Sequence, residues 1–210
     1  MAGKAIRAVK RAYEGPQSFQ HSLYLKAQPV TMESISSVKA FRCRNLDKSG
    51  QERLKSRHKQ LLMTARKLTP GTEAAQVFDL NMNPLTQQII GKEAGNSVNI
   101  PDQNVPYVAI HTHPDCGIFS PGDLLEFARR KNLKLLTAIG HNGHIYAIEK
   151  SPEYEPAICQ KIMKFCYMKI EELRKKPIWE FSNAQFVKEV NALVHNALKE
   201  AEKYGITFYS

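Results

Sequence analysis

Hydrophobic and polar positions repeat with two different periods along the chain, and the changes of period divide it into parts. Residues 51–67, QERLKSRHKQLLMTARK, place Leu54, His58, Leu61, Leu62 and Ala65 on one face at helical spacing. This predicts an amphipathic helix that Thr69-Pro70-Gly71 ends. The pattern then shortens to that of strands. Strands are predicted at 74–80, at 86–91 as its hairpin partner after Asn81-Met82-Asn83-Pro84, at 97–100 and at 106–113. An amphipathic helix follows at 123–131. Strands at 133–140 and 144–150 flank His141-Asn142-Gly143, and Asn-Gly is a strong hairpin signal.

After Ser151-Pro152 the helical period returns. One helix is predicted over 154–176, stopped by Pro177, with Ile158, Ile162, Phe165, Met168 and Ile170 as its core stripe. A second runs over 183–203, from Ser182 as N-cap to Gly205 as terminator, with Phe186, Val190, Leu193, Val194, Ala197 and Ala201 facing inward. Residues 1–50 show little sustained periodicity and read as an arm and linker with one short helix near the start. The expected class is α/β, a mixed sheet flanked by helices. Its parts are a basic arm over 1–50, a core over 51–150 and a C-terminal helical extension over 151–210.

Composition narrows the class further. A 42% hydrophobic and 24% charged chain of 210 residues excludes a disordered, collagen-like or coiled-coil protein. No apolar run approaches the roughly 18 residues of a transmembrane helix. The basic start, MAGKAIRAVKRAYEG, lacks the apolar stretch of a secretory signal. Cys43, Cys116, Cys159 and Cys166 are irregularly spaced and form neither a disulfide framework nor a zinc-binding pair. Together these features predict a soluble, cytoplasmic protein of a reducing compartment, without a membrane partner. Charge is uneven. Residues 1–70 hold 15 Lys/Arg against 4 Asp/Glu, whereas the whole chain carries a net +10, so the remainder is close to balanced. The basic segment is either a solvated arm or a contact, through residues 1–67, for nucleic acid or an acidic partner. No aromatic-interleaved RNA motif accompanies it.

The chemistry concentrates in residues 111–123, His-Thr-His-Pro-Asp-Cys-Gly-Ile-Phe-Ser-Pro-Gly-Asp. His111 and His113 lie two apart at the end of a predicted strand, so both imidazoles point to the same side. Ser120 and Pro121 read as the cap and first position of the next helix, which puts Asp123 in its first turn. There its carboxylate can turn back toward the His pair. Two imidazoles and a carboxylate leave one corner of a tetrahedral zinc site open, the arrangement of a catalytic site. Ser-Pro-Gly-Asp is also an adequate capping sequence that needs no metal.

His111-x-His113, six residues, then Ser120-x-x-Asp123 resembles the JAMM (MPN+, or JAB) metalloprotease signature, and the six-residue spacing is similar to that of bacterial and phage-associated branches. The resemblance covers roughly residues 68–150. It implies a cytidine-deaminase-like JAB/MPN fold holding one zinc ion per chain on His111, His113 and Asp123. It also implies hydrolysis of a peptide or isopeptide bond in a protein substrate, with ubiquitin-like modifiers as one class. A Glu from an earlier strand is required as general base. Glu73, directly before the strand at 74–80, is favoured over Glu93, which stands in a Lys-Glu-Ala-Gly-Asn loop. Ser120 would donate a hydrogen bond to the developing oxyanion, using the hydroxyl that also caps the helix. A non-catalytic scaffold and a nucleic-acid-associated role through the basic segment are the alternatives. Nearby, Cys116 reads as loop filler, Asp115 as a turn residue, and His141 and His144 as solvent-facing. Oligomeric state is left open.

Overall fold

The central strand of the sheet, β3 (Tyr107–His113), has every residue buried, because helices cover both of its faces. The computed structural model describes residues 27–92, 97–177 and 181–210. Glu93 and residues 1–26 of the basic segment lie outside them. Along the described chain come α1 (Met32–Ser37), α2 (Lys48–Ala65), β1 (Ala74–Asp79), β2 (Ile89–Ile90) and β3. After β3 follow α3 (Pro121–Arg129), β4 (Leu133–Gly140), β5 (Ile145–Lys150), α4 (Pro156–Arg174), α5 (Asn183–Glu202) and β6 (Ile206–Tyr209). The six strands lie in the order β2-β1-β3-β4-β5-β6. Only β3 and β4 pair in parallel, and α3 is the crossover between them. The expected mixed sheet flanked by helices is what the chain forms. No described helix is long and apolar enough to cross a membrane.

Strand alternation sorts the core into two layers. Val108 and Ile110 of β3 face Leu54 and Leu61 of α2, together with Phe78 and Leu135. Tyr107 and Ala109 face the other way, among Phe127 of α3, Met163 of α4 and Val194 of α5. By the same alternation His111 and His113 fall on the α3–α5 side. The inward face expected for 51–67 is buried as read, down to His58, whose Nε2 lies 2.7 Å from the Thr137 hydroxyl. The Asn142-Gly143 hairpin also forms, with Gly143 at φ +86°, a conformation that favours glycine.

Several expectations are corrected. Residues 27–50, read as part of the arm and linker, carry α1 and bury Val30, Ile35, Val38, Cys43 and Leu46. They are tied to β5 by Glu149. That fully buried carboxylate accepts from the backbone N–H groups of Arg44 (2.9 and 3.0 Å to its two oxygens) and Asn45 (3.3 Å), and from the Tyr209 hydroxyl. The hairpin partner at 86–91 reduces to the two residues of β2, and 97–100 is not a strand. β6 was not foreseen. On α4 the buried stripe is Cys159, Met163, Cys166 and Ile170, while Phe165 is 62% and Met168 50% exposed. Apolar residues thus also lie off its buried stripe, and its partners α3 and α5 set which side turns inward.

Candidate metal centre

Three connected pieces of backbone assemble the site at the carboxyl end of β3, where open α/β sheets place their ligands. The β1–β3 register pairs Ala75 with His111. Continued by two residues, it sets Glu73 opposite His113, on the same side of the sheet. The Thr112 side chain, between the two imidazoles in sequence, accepts a 2.9 Å hydrogen bond from the backbone N–H of Ala74. Ser120 caps α3 and Pro121 opens it, so Asp123 is N3 of a capping box. The Ser120 hydroxyl accepts from Asp123 N (3.2 Å), and Asp123 Oδ2 accepts from Ser120 N (2.8 Å). The same box that starts the helix therefore aims the carboxylate.

The three side chains predicted to be ligands converge. Nε2 of His111 and Nε2 of His113 are 2.9 Å apart, and Asp123 Oδ2 is 3.7 Å and 3.5 Å from them. Ligands about 2.0–2.2 Å from a tetrahedral zinc lie about 3.3–3.5 Å from one another. The observed triangle brackets that value, and the point equidistant from its corners is about 2 Å from each atom. Protonation agrees with this fit. Nδ1 of His113 lies 2.9 Å from the Gly117 carbonyl, which only accepts. Nδ1 therefore carries a hydrogen, and with Nε2 deprotonated its lone pair would face the centre. Asp123 and both imidazoles form a group of three donor atoms close enough together to hold a metal ion.

Electrostatics follow from the crowding. Burial opposes ionisation of Asp123, but His111 and His113 outweigh it and hold the carboxyl well below its usual range. Burial is overcome at His113 as well, where the hydrogen bond and charge of Asp123, with Glu73, push the imidazole up to about 9. For His111 burial wins and lowers it, against Asp123. The Asp123 carboxylate and the His113 imidazole thus favour each other's charged form, and a cation held here would take the place of the imidazole proton. Burial likewise pushes Glu73 up to about 8, with His113 opposing, and its Oε2 accepts from Val98 N at 3.2 Å. The segment 97–100 is thus a support for Glu73 and not a strand.

Glu73, His113, Ser120 and Asp123 line one cavity of about 320 Å³. Ser120 is exposed there. Its cap bond uses a lone pair of the hydroxyl oxygen, which leaves the O–H hydrogen free to donate. Capping and donation to substrate therefore do not compete. Asp115 makes the expected turn, its Oδ1 accepting from Gly117 N at 3.0 Å. Cys116 sits beside it at φ +60°. His144 is exposed, as expected, but His141 is buried, with Nδ1 2.6 Å from the Gln28 carbonyl. The hairpin signal placed His141 at a turn, and only the strap at Gln28 closes over it. Sequence reasoning also missed Thr112, the Gly117 carbonyl and the wall that Val187, Val190 and Asn191 of α5 supply to the cavity. Thr112 had one sequence signal, its place between the two imidazoles. The chain matches no protein-family model, no curated protein and no solved structure.

Proposed function

We propose that this chain is a zinc-dependent hydrolase of the JAMM (MPN+, JAB) type that cleaves a peptide or isopeptide bond, with one zinc ion per chain. The observation that carries the reading is the approach of His111 Nε2, His113 Nε2 and Asp123 Oδ2 to within 3.7 Å of each other, with His113 and Asp123 lining the cavity that Glu73 also lines. The β3–α3–β4 crossover inside a mixed sheet, with its ligands on the strand end and the helix start, supports a JAB/MPN-type, cytidine-deaminase-like fold.

A zinc ion at this site supplies Lewis acidity, which makes water a nucleophile near neutral pH and polarises the substrate carbonyl. Glu73 takes the proton of the attacking water and returns it to the leaving amine. Taking that proton requires the ionised carboxylate, which burial opposes and the charge of a bound cation would favour. Ser120 donates its free hydroxyl hydrogen to the oxygen on which charge develops. Gly117 holds His113 in the ligating tautomer through its carbonyl. Among the described residues none that lines the cavity is Lys or Arg, which favours a peptide over a phosphodiester there.

The test compares wild type with Glu73→Gln after zinc loading, on a panel of peptides and ubiquitin-like conjugates. Metal analysis is expected to give about one zinc per chain in both, with turnover lowered about 10²–10⁴-fold in the variant. Full activity of Glu73→Gln would remove the general base, and with it this mechanism.

A further inference from the structure

The wall of the cavity opposite the sheet belongs to α5, a helix that the chemistry described so far does not use. Phe186, Val190 and Val194 anchor that helix in the core. Val187, one position round from Phe186, is half-buried and turns with Val190 and Asn191 to the cavity. Across from them, Val98 follows the chain that supports Glu73, and Ile118 lies between the second imidazole and the helix cap.

Among the described residues the lining contains Glu73, Asp115 and Asp123 beside His113, and no Lys or Arg. Asp123 faces the imidazole pair, whereas Asp115 has no ion-pair partner among the described residues. A charged side chain of either sign entering here would be desolvated against valine and isoleucine, and an acidic one would also meet Asp115. An apolar one would replace water against valine and isoleucine, which is favourable in proportion to the area covered. The space, about 320 Å³, is at the low end for ligand pockets, so it admits a side chain beside the reacting carbonyl together with a short stretch of peptide backbone.

We propose that this cavity selects peptides carrying an uncharged apolar side chain next to the scissile bond, and that Val187 on α5 sets the size of the side chain accepted. The inference rests on the hydrolase reading and names its substrate class. Asp115 acts against acidic residues, and Val190, committed to the core, forms the fixed floor of the pocket.

The experiment separates binding from turnover. Zinc-loaded Glu73→Gln protein is titrated calorimetrically with capped hexapeptides Ala-Ala-X-Ala-Ala-Ala, in which X is Ala, Leu, Phe, Glu or Lys. The Leu peptide is expected to bind at least tenfold tighter than the Glu and Lys peptides. Adding Val187→Phe should move the preference to Ala, and adding Val187→Ala should move it to Phe, with zinc content unchanged in each. Equal binding of all five, no binding of any, preference for a charged X, or the same order in all three proteins would overturn the proposal. The same peptides are given to wild-type protein as substrates. Ordered binding without cleavage would leave the pocket standing and remove the hydrolase reading. Cleavage without side-chain order would do the reverse.

Discussion

Thr112 and Ala74, 38 residues apart, are joined by the 2.9 Å hydrogen bond from the Ala74 N–H to the Thr112 hydroxyl. One belongs to the strand that carries both imidazoles, and the other follows Glu73. The spacing between Glu73 and the imidazole pair is therefore set by a buried side chain that belongs to neither. Thr112→Val keeps the shape and leaves the Ala74 N–H unpaired in the core, at a cost of about 1–3 kcal/mol. The variant is expected to bind about one zinc per chain, to unfold at lower denaturant and to turn over more slowly than wild type. Unchanged stability and turnover would show that the bond positions nothing.

The ligand triangle makes a prediction about metal and folding. On the proposed reading zinc binds the folded chain between the end of β3 and the start of α3, so it should raise the melting temperature. At a free concentration 100 times its dissociation constant the stabilisation is about 2.7 kcal/mol. A chelator should reverse the shift. His113→Ala and Asp123→Asn should each abolish both the shift and the bound metal. A zinc-dependent shift that survives in both variants would place the ion elsewhere.

Glu149 predicts how the chain tolerates truncation. With its carboxylate removed, the backbone N–H groups of Arg44 and Asn45 and the Tyr209 hydroxyl lose their acceptor. Glu149→Ala is expected to cost about 3 kcal/mol in chemical denaturation. A chain that starts at residue 51 loses those amides and also Val30, Ile35, Val38, Cys43 and Leu46 from the core. It should not give a cooperative melt. A stable, cooperative 51–210 fragment would contradict the packing of 27–50.

Lys150 holds the far end of α3. Its ammonium is buried, donates to the Phe127 (2.7 Å) and Arg130 (2.5 Å) carbonyls, and lies 4.6 Å from the centres of the Phe127 and Tyr154 rings. Burial, aided by Lys134, lowers its pKa to about 7. Between that value and the unfolded lysine value of about 10.4 the unfolded chain binds more protons. Stability from this residue therefore rises with pH across that window, by about 1.4 kcal/mol per unit at most. The neutral amine still offers two N–H groups to the two carbonyls. Measured as the difference from Lys150→Met, the wild type should gain stability between pH 7 and pH 10. A flat or falling difference would mean that the lysine stays charged in the fold.

What could be read from the chain alone was what lies close together along it. The face of α2 from Leu54 to Ala65, the Asn142-Gly143 turn and the two helices after Ser151 follow from periods of a few residues. The His111, His113, Ser120 and Asp123 set spans 13 residues, and strand alternation and a capping box aim those side chains without help from elsewhere. Tertiary structure decided what depends on partners distant in sequence. The β6 strand exists because β5 offers it an edge, and residues 27–50 are ordered by a carboxylate more than 100 positions later. The inward side of α4 was ambiguous because apolar residues such as Phe165 and Met168 also lie off its buried stripe, and contact with α3 and α5 settled it. The same holds at the site. Local rules aim the three ligands, while the carboxylate of Glu73, the burial of His141 and the valine wall of α5 arrive only when separate segments pack, because burial and long-range hydrogen bonds have no period to read.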